Sequence, residues 1–405
     1  MEPKIAVAGA GALGVMFGQK LTKAYGNNRV FFAADPERTA RYRENTFTCN
    51  GESCDFRFSS SLEQEGKADL VIYAVKFNGL EDALRLTEPL VGEDTVLISL
   101  LNGISSEEII SKTFSRGRLL YCIAQGMDAT KNGYSVQFHN LGKLLLGNRD
   151  NRTSDELERA VDWLEGSGIP CCVPEDIIYC QWSKLMLNAG INQVSAVLNI
   201  PYGGVQFEGE ARRMVVDSMK EVQKVAACEG IALTDGDVKA WLDLLDSLNP
   251  EGMPSMRQDT AAHRKTEVEH FSGTIRRLGK KYSVKTPVND FLYEKIKEMP
   301  CLFGREDSPT PYGVFDIVKK SKVKEEYISG YHKKYERIKF FGYLVIFEDY
   351  FIHSDLYMDS VTSETFEQAE PISNGETGTT GCIRISQKNV GWLLKNIEVG
   401  TTVIL

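Results

Sequence analysis

The feature that most restricts this chain is a glycine-rich turn within its first fourteen residues. A short, mostly apolar stretch from Lys4 to Ala8 breaks into Gly9, Ala10, Gly11, Ala12, Leu13 and Gly14. A helix-like segment, Val15 to Tyr25, follows. Strand, tight turn and helix in that order, with the spacing G-x-G-x-x-G, have a physical reading. Gly9 allows the turn, Gly11 lets the backbone approach a pyrophosphate, and Gly14 lets the helix lie close to the strand. The first N–H groups of the helix then face the phosphates. The same spacing also occurs in ordinary loops; its place directly between strand and helix is what favours a dinucleotide site.

At 405 residues the chain exceeds what one compact core usually holds, which suggests two or three domains. Up to about residue 170 strand-like and helix-like segments alternate, with strands expected at Arg29 to Ala34, Leu70 to Val75, Thr95 to Leu101, Arg118 to Ala124, Ser135 to Phe138 and Leu144 to Leu146. Helices are expected at Ile177 to Leu198, Gly209 to Glu229, Thr234 to Leu248, Ser255 to Leu278 and Val288 to Met299. From Pro300 short β-rich runs such as Tyr343 to Phe347 and Thr401 to Leu405 lie among Gly, Ser and Thr clusters. The expected class is α/β: a Rossmann-type doubly wound sheet over 1–170, an all-helical domain over 171–298 and a small β-rich module over 299–405.

Net charge is −9 and no basic block occurs, so the chain lacks the electrostatic footprint of a nucleic-acid or anionic-membrane binder. Small-molecule chemistry is expected instead. Met1-Glu2-Pro3 leads straight into a strand, and no run of eighteen apolar residues occurs, which points to a cytoplasmic protein. The nine cysteines, at positions 49, 54, 122, 171, 172, 180, 228, 301 and 382, form no C-x-x-C pair. Reduced thiols and no metal site are expected.

Asp35 closes the second strand twenty-one positions past Gly14, where a carboxylate meets the ribose diol of NAD and repels the 2′-phosphate of NADP. Arg38 stands near enough to offset that repulsion, and Asp35 serves equally well as the cap of the helix beginning at Pro36. Lys76 and Asn102 follow buried strands at their carboxyl ends, where open α/β sheets bind ligands; Asn102-Gly103 also reads as ordinary turn chemistry. Lys184, Asn188 and Asn192 recur every four residues on a helix that is otherwise almost wholly apolar. Such groups are costly to bury unless they meet a ligand or one another. Ser255 and Glu267 add a hydroxyl and a carboxylate; by spacing alone they read as a solvated helix face.

Taken together, Gly9 to Gly14, Val75-Lys76, Asn102-Gly103, Trp182-x-Lys184-x-x-x-Asn188-x-x-x-Asn192, Ser255-Met256-x-x-Asp259, Thr266-Glu267 and Thr286-Pro287-Val288-Asn289 resemble the ketopantoate reductase family over residues 1–298. The resemblance implies reduction of 2-dehydropantoate to pantoate with NADP(H), in a cleft between a Rossmann domain and a helical domain that binds substrate and mediates dimerisation, so a homodimer is compatible with it. By motif position it implies Lys184 as proton donor and Asn188, Asn192 and Ser255 as substrate ligands. Lys76, Asn102 and Glu267 would contact cofactor or organise the site, Glu267 as a second catalytic group. Two positions depart from the family: Asp35 stands where members often carry an arginine, leaving NAD(H) open, and Tyr202 stands where some members place a substrate-binding asparagine. That leaves open the exact 2-oxo acid, and a D-2-hydroxyacid dehydrogenase is the alternative on this scaffold.

The residues past Lys297 resemble a different family. Cys301-Leu-Phe-Gly304, Ser308 to Phe315, Phe351-Ile352-His353-Ser354, Thr379-Thr380-Gly381-Cys382-Ile383-Arg384 and Gly400 to Val403 resemble the catalytic domain of L,D-transpeptidases. The resemblance implies a nucleophile at Cys382, its base at His353 and an organising Arg384. Thr380 stands where members usually have histidine, and the family's leading strands lack a counterpart before Cys301. The expectation is therefore a truncated relic of a transpeptidase, with a peptidoglycan L,D-transpeptidase acting through Cys382 as the alternative.

Overall fold

The computed structural model describes residues 2–261, 266–296, 301–304, 314–321, 326–329, 338–347, 350–354, 356–358, 376–379, 382–385, 387–397 and 399–404. The chain divides into two compact units, Met1–Ile296 and Lys297–Leu405.

In the first unit the fully buried strand Ile5–Ala8 (β1) leads into helix Ala12–Tyr25 (α1). Strands Val30–Ala33 (β2), Phe58–Ser59 (β3), Leu70–Tyr73 (β4), Val96–Ser99 (β5) and Arg118–Leu119 (β6) join β1 in one sheet of order β3-β2-β1-β4-β5-β6. Every pairing in it is parallel. Strands β1, β2, β4 and β5 show no exposed residue, because helices Pro36–Arg43 (α2), Leu80–Thr87 (α3) and Ser106–Thr113 (α4) join α1 in covering a sheet that alternation could not have left half-solvated. The order reverses between β1 and β4, the point at which such sheets bind ligands.

Three expected strands depart from this sheet, Leu144 to Leu146 among them. The run Arg118 to Ala124 divides after β6: Leu120 donates its N–H to the Leu97 carbonyl, and Tyr121–Gln125 (β7) turns away to pair antiparallel with Lys143–Gly147 (β8). Strand β8 also pairs with Cys171–Cys172 (β9), so β7 lies at the edge of a separate three-stranded sheet. Ser135–Gln137 joins a small sheet with Thr48–Cys49. Helix Asp155–Gly166 (α5), capped by Ser154, packs on the first core.

The helical part begins with Ile177–Leu187 (α6), capped by the Asp176 carboxylate. It continues through Gln193–Leu198 (α7), Glu210–Cys228 (α8), Asp235–Ser247 (α9), Ser255–Ala261 (α10), Ser272–Tyr282 (α11) and Pro287–Ile296 (α12). Its core gathers Trp182, Met186, Val215, Met219, Val222, Phe271, Ile275 and Leu292. The helix expected over Ser255 to Leu278 is not continuous. Thr266 and Glu267 lie outside any helix, Val268–His270 form a single 3-10 turn, and α11 starts only at Ser272. The break swings the Glu267 carboxylate onto Asn102, a tertiary hydrogen bond of 3.0 Å that outweighs helix propagation at this point.

The second unit is β-rich. A six-stranded sheet runs in the order Lys319–Lys320, Tyr343–Phe347, Tyr350–His353, Ile383–Ile385, Cys301–Gly304, Glu376–Thr379. Its core, Ile317, Leu344, Ile346, Ile352, Ile383 and Ile385, is closed by Val390 and Leu394 of helix Gln387–Asn396. The terminal strand spans Thr402–Ile404. Met299, Ser308 to Gly313, Thr380, Gly381 and Leu405 lie outside the described residues. No helix among the described residues is long and apolar enough to cross a membrane.

Candidate active site

The glycine turn is built on close approach. Gly9 adopts φ +115°, and a Cβ there would fall 2.7 Å from the backbone carbonyl of Ala74, just past β4. A Cβ on Gly14 would fall 2.0 Å from the Gly9 carbonyl oxygen, so the first turn of α1 can lie on the loop only without a side chain. Gly11 caps α1 with extended backbone and no side-chain acceptor, and the first turn contains no acidic residue. Ala10, Ala12 and Leu13 complete the turn with small or apolar side chains. A pyrophosphate fits this cradle: the N–H groups of α1 face outward at the switch point with no competing anion beside them. At the end of β2, Asp35 caps α2 through the Arg38 N–H at 2.7 Å, and Arg38 Nε lies 3.3 Å from its other oxygen. The carboxylate thus serves as the cap of α2, one of the two roles its place in the sequence allows.

Across the cleft, Lys184 on α6 donates to Asn102 Oδ1 at 2.8 Å and to the Ala124 carbonyl of β7 at 2.5 Å. Asn102 reaches this place because Gly103, at φ +96°, turns the chain sharply after β5. Its amide nitrogen donates to Glu267 Oε2, so one asparagine links the ammonium to the carboxylate. Burial pushes the Lys184 amine down to about 8, against the raising pull of Glu267 and, less, of Cys122. An amine that titrates there gives up a proton near neutral pH far more readily than a solvated lysine.

Asn188 and Asn192 lie on a π-helical turn, Asn188–Asn192, that separates α6 from α7. The expected uniform stripe is therefore broken by one wide turn, a distortion common at functional sites. Asn192 Nδ2 donates to Asn188 Oδ1 at 2.9 Å, and Ser255 Oγ donates to Asn192 Oδ1 at 3.4 Å. That chain leaves Asn188 Nδ2, a buried donor, without a hydrogen-bond partner among the described residues. Such an atom is costly unless a ligand oxygen meets it. Lys76 ion-pairs with Asp259 at 2.9 Å, joining the loop after β4 to α10. Phe77 beside it stacks on His270 with ring centroids 3.5 Å apart.

Sequence reasoning passed over Glu107 and Gln181, which meet beneath Lys184 in the buried floor of this cleft. Two signals were present: Gln181 precedes Lys184 by three residues on the same helix face, and Glu107 stands in the first turn of α4, where acidic residues favour the helix dipole. No cluster of three metal-ligating side chains occurs among the described residues.

In the second unit, His353 and Arg384 are register partners on adjacent parallel strands, and Cys382 comes two residues before Arg384. His353 is buried, and burial holds its imidazole down to about 4, neutral at physiological pH. Its Nδ1 lies 2.7 Å from the Ser354 carbonyl, which can only accept, so the ring proton sits on Nδ1 and Nε2 is the basic nitrogen. Cys382 is partly buried.

Comparison with known proteins adds to this geometry. Residues 5–151 match the family model described as ketopantoate reductase PanE/ApbA, residues 176–300 its C-terminal counterpart, and residues 291–405 the L,D-transpeptidase catalytic domain. A 2-dehydropantoate 2-reductase of Lactococcus lactis is 28% identical over 302 residues, covering 72% of this chain and 96% of that protein. The crystal structure of a 2-dehydropantoate 2-reductase from Geobacter metallireducens superposes with a TM-score of 0.64 at 25% identity, covering 72% of this chain and 98% of that one. A ternary structure of D-mandelate dehydrogenase with NADH and anilino(oxo)acetate gives 0.63 at 30% identity, covering 72% and 96%.

Proposed function

Over residues 5–300 the chain belongs to the ketopantoate reductase family, and from that membership we propose that it is an oxidoreductase that reduces a small 2-oxo acid, with 2-dehydropantoate as the first substrate to test. The bound nicotinamide dinucleotide supplies a hydride to the ketone carbon. The protein does the rest. The Gly9–Gly14 turn and the start of α1 hold the pyrophosphate, Asp35 takes the ribose diol, and Lys76 and Asn102 border the nicotinamide side of the cleft. Ser255, Asn192 and the unpartnered Asn188 Nδ2 orient the carboxylate and hydroxyl groups of the acid. Lys184 stabilises the developing alkoxide and transfers its proton to it, completing the reduction by one hydride and one proton; solvent reprotonates the amine. Glu267, through Asn102, keeps the amine charged until that transfer.

The observation that carries this reading is the Lys184 ammonium, fixed by Ala124 and Asn102 and depressed to about 8, at the mouth of a nucleotide-binding turn. Asp35 favours NADH over NADPH, in keeping with the NADH in the D-mandelate dehydrogenase complex. Turnover followed at 340 nm, with NADH and NADPH in turn against 2-dehydropantoate and branched or aromatic 2-oxo acids, selects cofactor and substrate. Lys184→Ala must abolish that turnover; a variant as fast as the parent removes Lys184 from the chemistry.

The His353–Arg384 register supports a second, separate reading for residues 291–405: acyl transfer from a peptide to Cys382 Sγ, with the thiol proton passing to His353 Nε2 and from there to the amine that leaves. Incubation with a carbapenem and mass spectrometry decides it, because acylation of Cys382 requires an assembled site. An unmodified Cys382 leaves this unit as the relic that its departures from the family suggest.

A further inference from the structure

One buried ionisable side chain in the cleft floor has no part in the reaction described above. Glu107 is 1% exposed. Its carboxylate accepts from Gln181 Nε2 and from Ser106 Oγ, both at 2.9 Å, and the backbone amides of Glu107 and Cys122 pull against the burial that raises it. Ser99 Oγ donates in turn to Ser106 Oγ. Gln181 is buried too, and it lines one small cavity together with Lys184, Asn102 and Cys122.

Strand β7 explains why these groups converge. It is an edge strand, and its outward N–H and C=O groups need partners that no neighbouring strand provides. Cys122 and Ala124, two residues apart, point their backbone groups to that same edge. The Cys122 N–H faces the Glu107 carboxylate and offsets part of the burial that raises it, and Lys184 supplies the donor for the Ala124 carbonyl. Gln181 then ties Glu107 to the helix that carries Lys184. Helix α6 is pinned to β7 at two points about 7 Å apart, one strand repeat, so the height of the ammonium along the strand is set by both.

We propose that Glu107 is a positioning residue for the reduction: through Gln181 it holds α6 in the register on β7 at which the Lys184 ammonium meets the ketone oxygen. The proposal rests on the reading of Lys184 as proton donor. A merely structural role explains it poorly, since a buried carboxyl is expensive and an apolar residue of similar volume would fill the space at less cost. The titratable groups beside Glu107 are Cys122 and Tyr121 of β7; those beside Lys184 are Glu267 and Cys122.

The test uses the full chain and the variants Glu107→Ala, Glu107→Gln, Gln181→Leu and Lys184→Ala. Three quantities are read: NADH affinity by fluorescence, kcat with 2-dehydropantoate, and the pH dependence of Lys184 acetylation by acetic anhydride, followed by mass spectrometry. Glu107→Ala and Gln181→Leu should lose on the order of 10²-fold in kcat, as small misplacements of a reacting group do, with NADH affinity within about twofold of the parent. In both, the acetylation midpoint should rise from about 8 toward that of a solvated lysine, because a helix that slips admits water to the amine. Glu107→Gln, whose amide oxygen still accepts from Gln181, should restore both midpoint and kcat. A folded Glu107→Ala or Gln181→Leu with parental midpoint and kcat overturns the proposal, as does a loss confined to NADH affinity. If Glu107→Ala does not fold, Gln181→Leu decides. If Lys184→Ala turns over like the parent, the proton-donor reading fails, and the acetylation midpoint still reports whether Glu107 places the amine.

Discussion

Replacing Glu267 by glutamine is the most informative single perturbation of this site. The amide keeps an oxygen for Asn102 Nδ2, now at 3.0 Å from the carboxylate, so the bridge to Lys184 survives and only the negative charge disappears. Hydrogen bonds of 2.8 Å and 3.0 Å on the two ends of one amide place the two charges about 7 Å apart. At that separation and an effective dielectric constant of about 20, their attraction is about 2.4 kcal/mol, or about 1.7 pKa units. The Lys184 amine, at about 8 in the parent, should fall to about 6.3 in Glu267→Gln. Reduction needs the ammonium form, so activity is lost as pH rises through the amine's pKa, and the variant should lose it earlier. The alkaline limb of kcat/KM moves down by one to two units; at pH 7.5 the rate drops roughly thirteenfold and recovers on acidification. A stopped-flow or steady-state pH profile at 340 nm measures it. An alkaline limb that stays at the parental value, or moves upward, would refute the placement of Glu267 as the counter-charge of Lys184.

Other expectations follow from the same geometry. Gly14→Ala puts a methyl group 2.0 Å from the Gly9 carbonyl oxygen, so NADH affinity by fluorescence titration should fall by at least about tenfold while the helical part keeps its stability. Asp35→Ser removes the carboxylate that repels a 2′-phosphate, and the ratio of kcat/KM for NADPH to that for NADH should rise; an unchanged ratio would show that Asp35 acts only as the cap of α2. Glu107, raised to about 7 by burial against an ordinary 4.5, holds its proton longer when folded than unfolded. Its stabilisation is therefore complete below pH 4.5 and lost as pH climbs through 7, about 3 kcal/mol in all. Urea unfolding of the parent and of Glu107→Gln at a series of pH values should show that decline in the parent alone.

Much of the architecture could be read in the primary structure. The Gly9–Gly14 turn announces its strand, its helix and its ligand because each glycine answers a local steric demand, at φ +115° in one case and under a neighbouring carbonyl in another. The apolar runs of β1, β4 and β5 mark a doubly covered parallel sheet: with both faces buried, the polar atoms admitted are those with buried partners, the Tyr73 hydroxyl on Thr87 and the Ser99 hydroxyl on Ser106. Capping signals at Ser154, Asp176 and Thr234 mark the starts of α5, α6 and α9. Where periodicity failed, it failed at the site. The helical pattern from Ser255 to Leu278 hides the break at Thr266 and Glu267, and the four-residue repeat from Lys184 to Asn192 hides a π-helical turn; at both places side chains meet partners remote in sequence, Glu267 on Asn102 and Asn192 on Ser255.

The amino-acid sequence by itself determined the nucleotide turn, the order of strands and helices, and the residue types assembled for chemistry, since these depend on contacts a few positions apart. Only the tertiary structure decided which of those residues meet. Lys184 finds Asn102 from 82 positions away, Lys76 finds Asp259 from 183, and Gln181 finds Glu107 from 74. Burial, which depresses the Lys184 amine and raises the Glu107 carboxyl, likewise exists only after the helices have closed over the edge of β7. Periodicity reports which face of an element is apolar; it does not report what that face will touch.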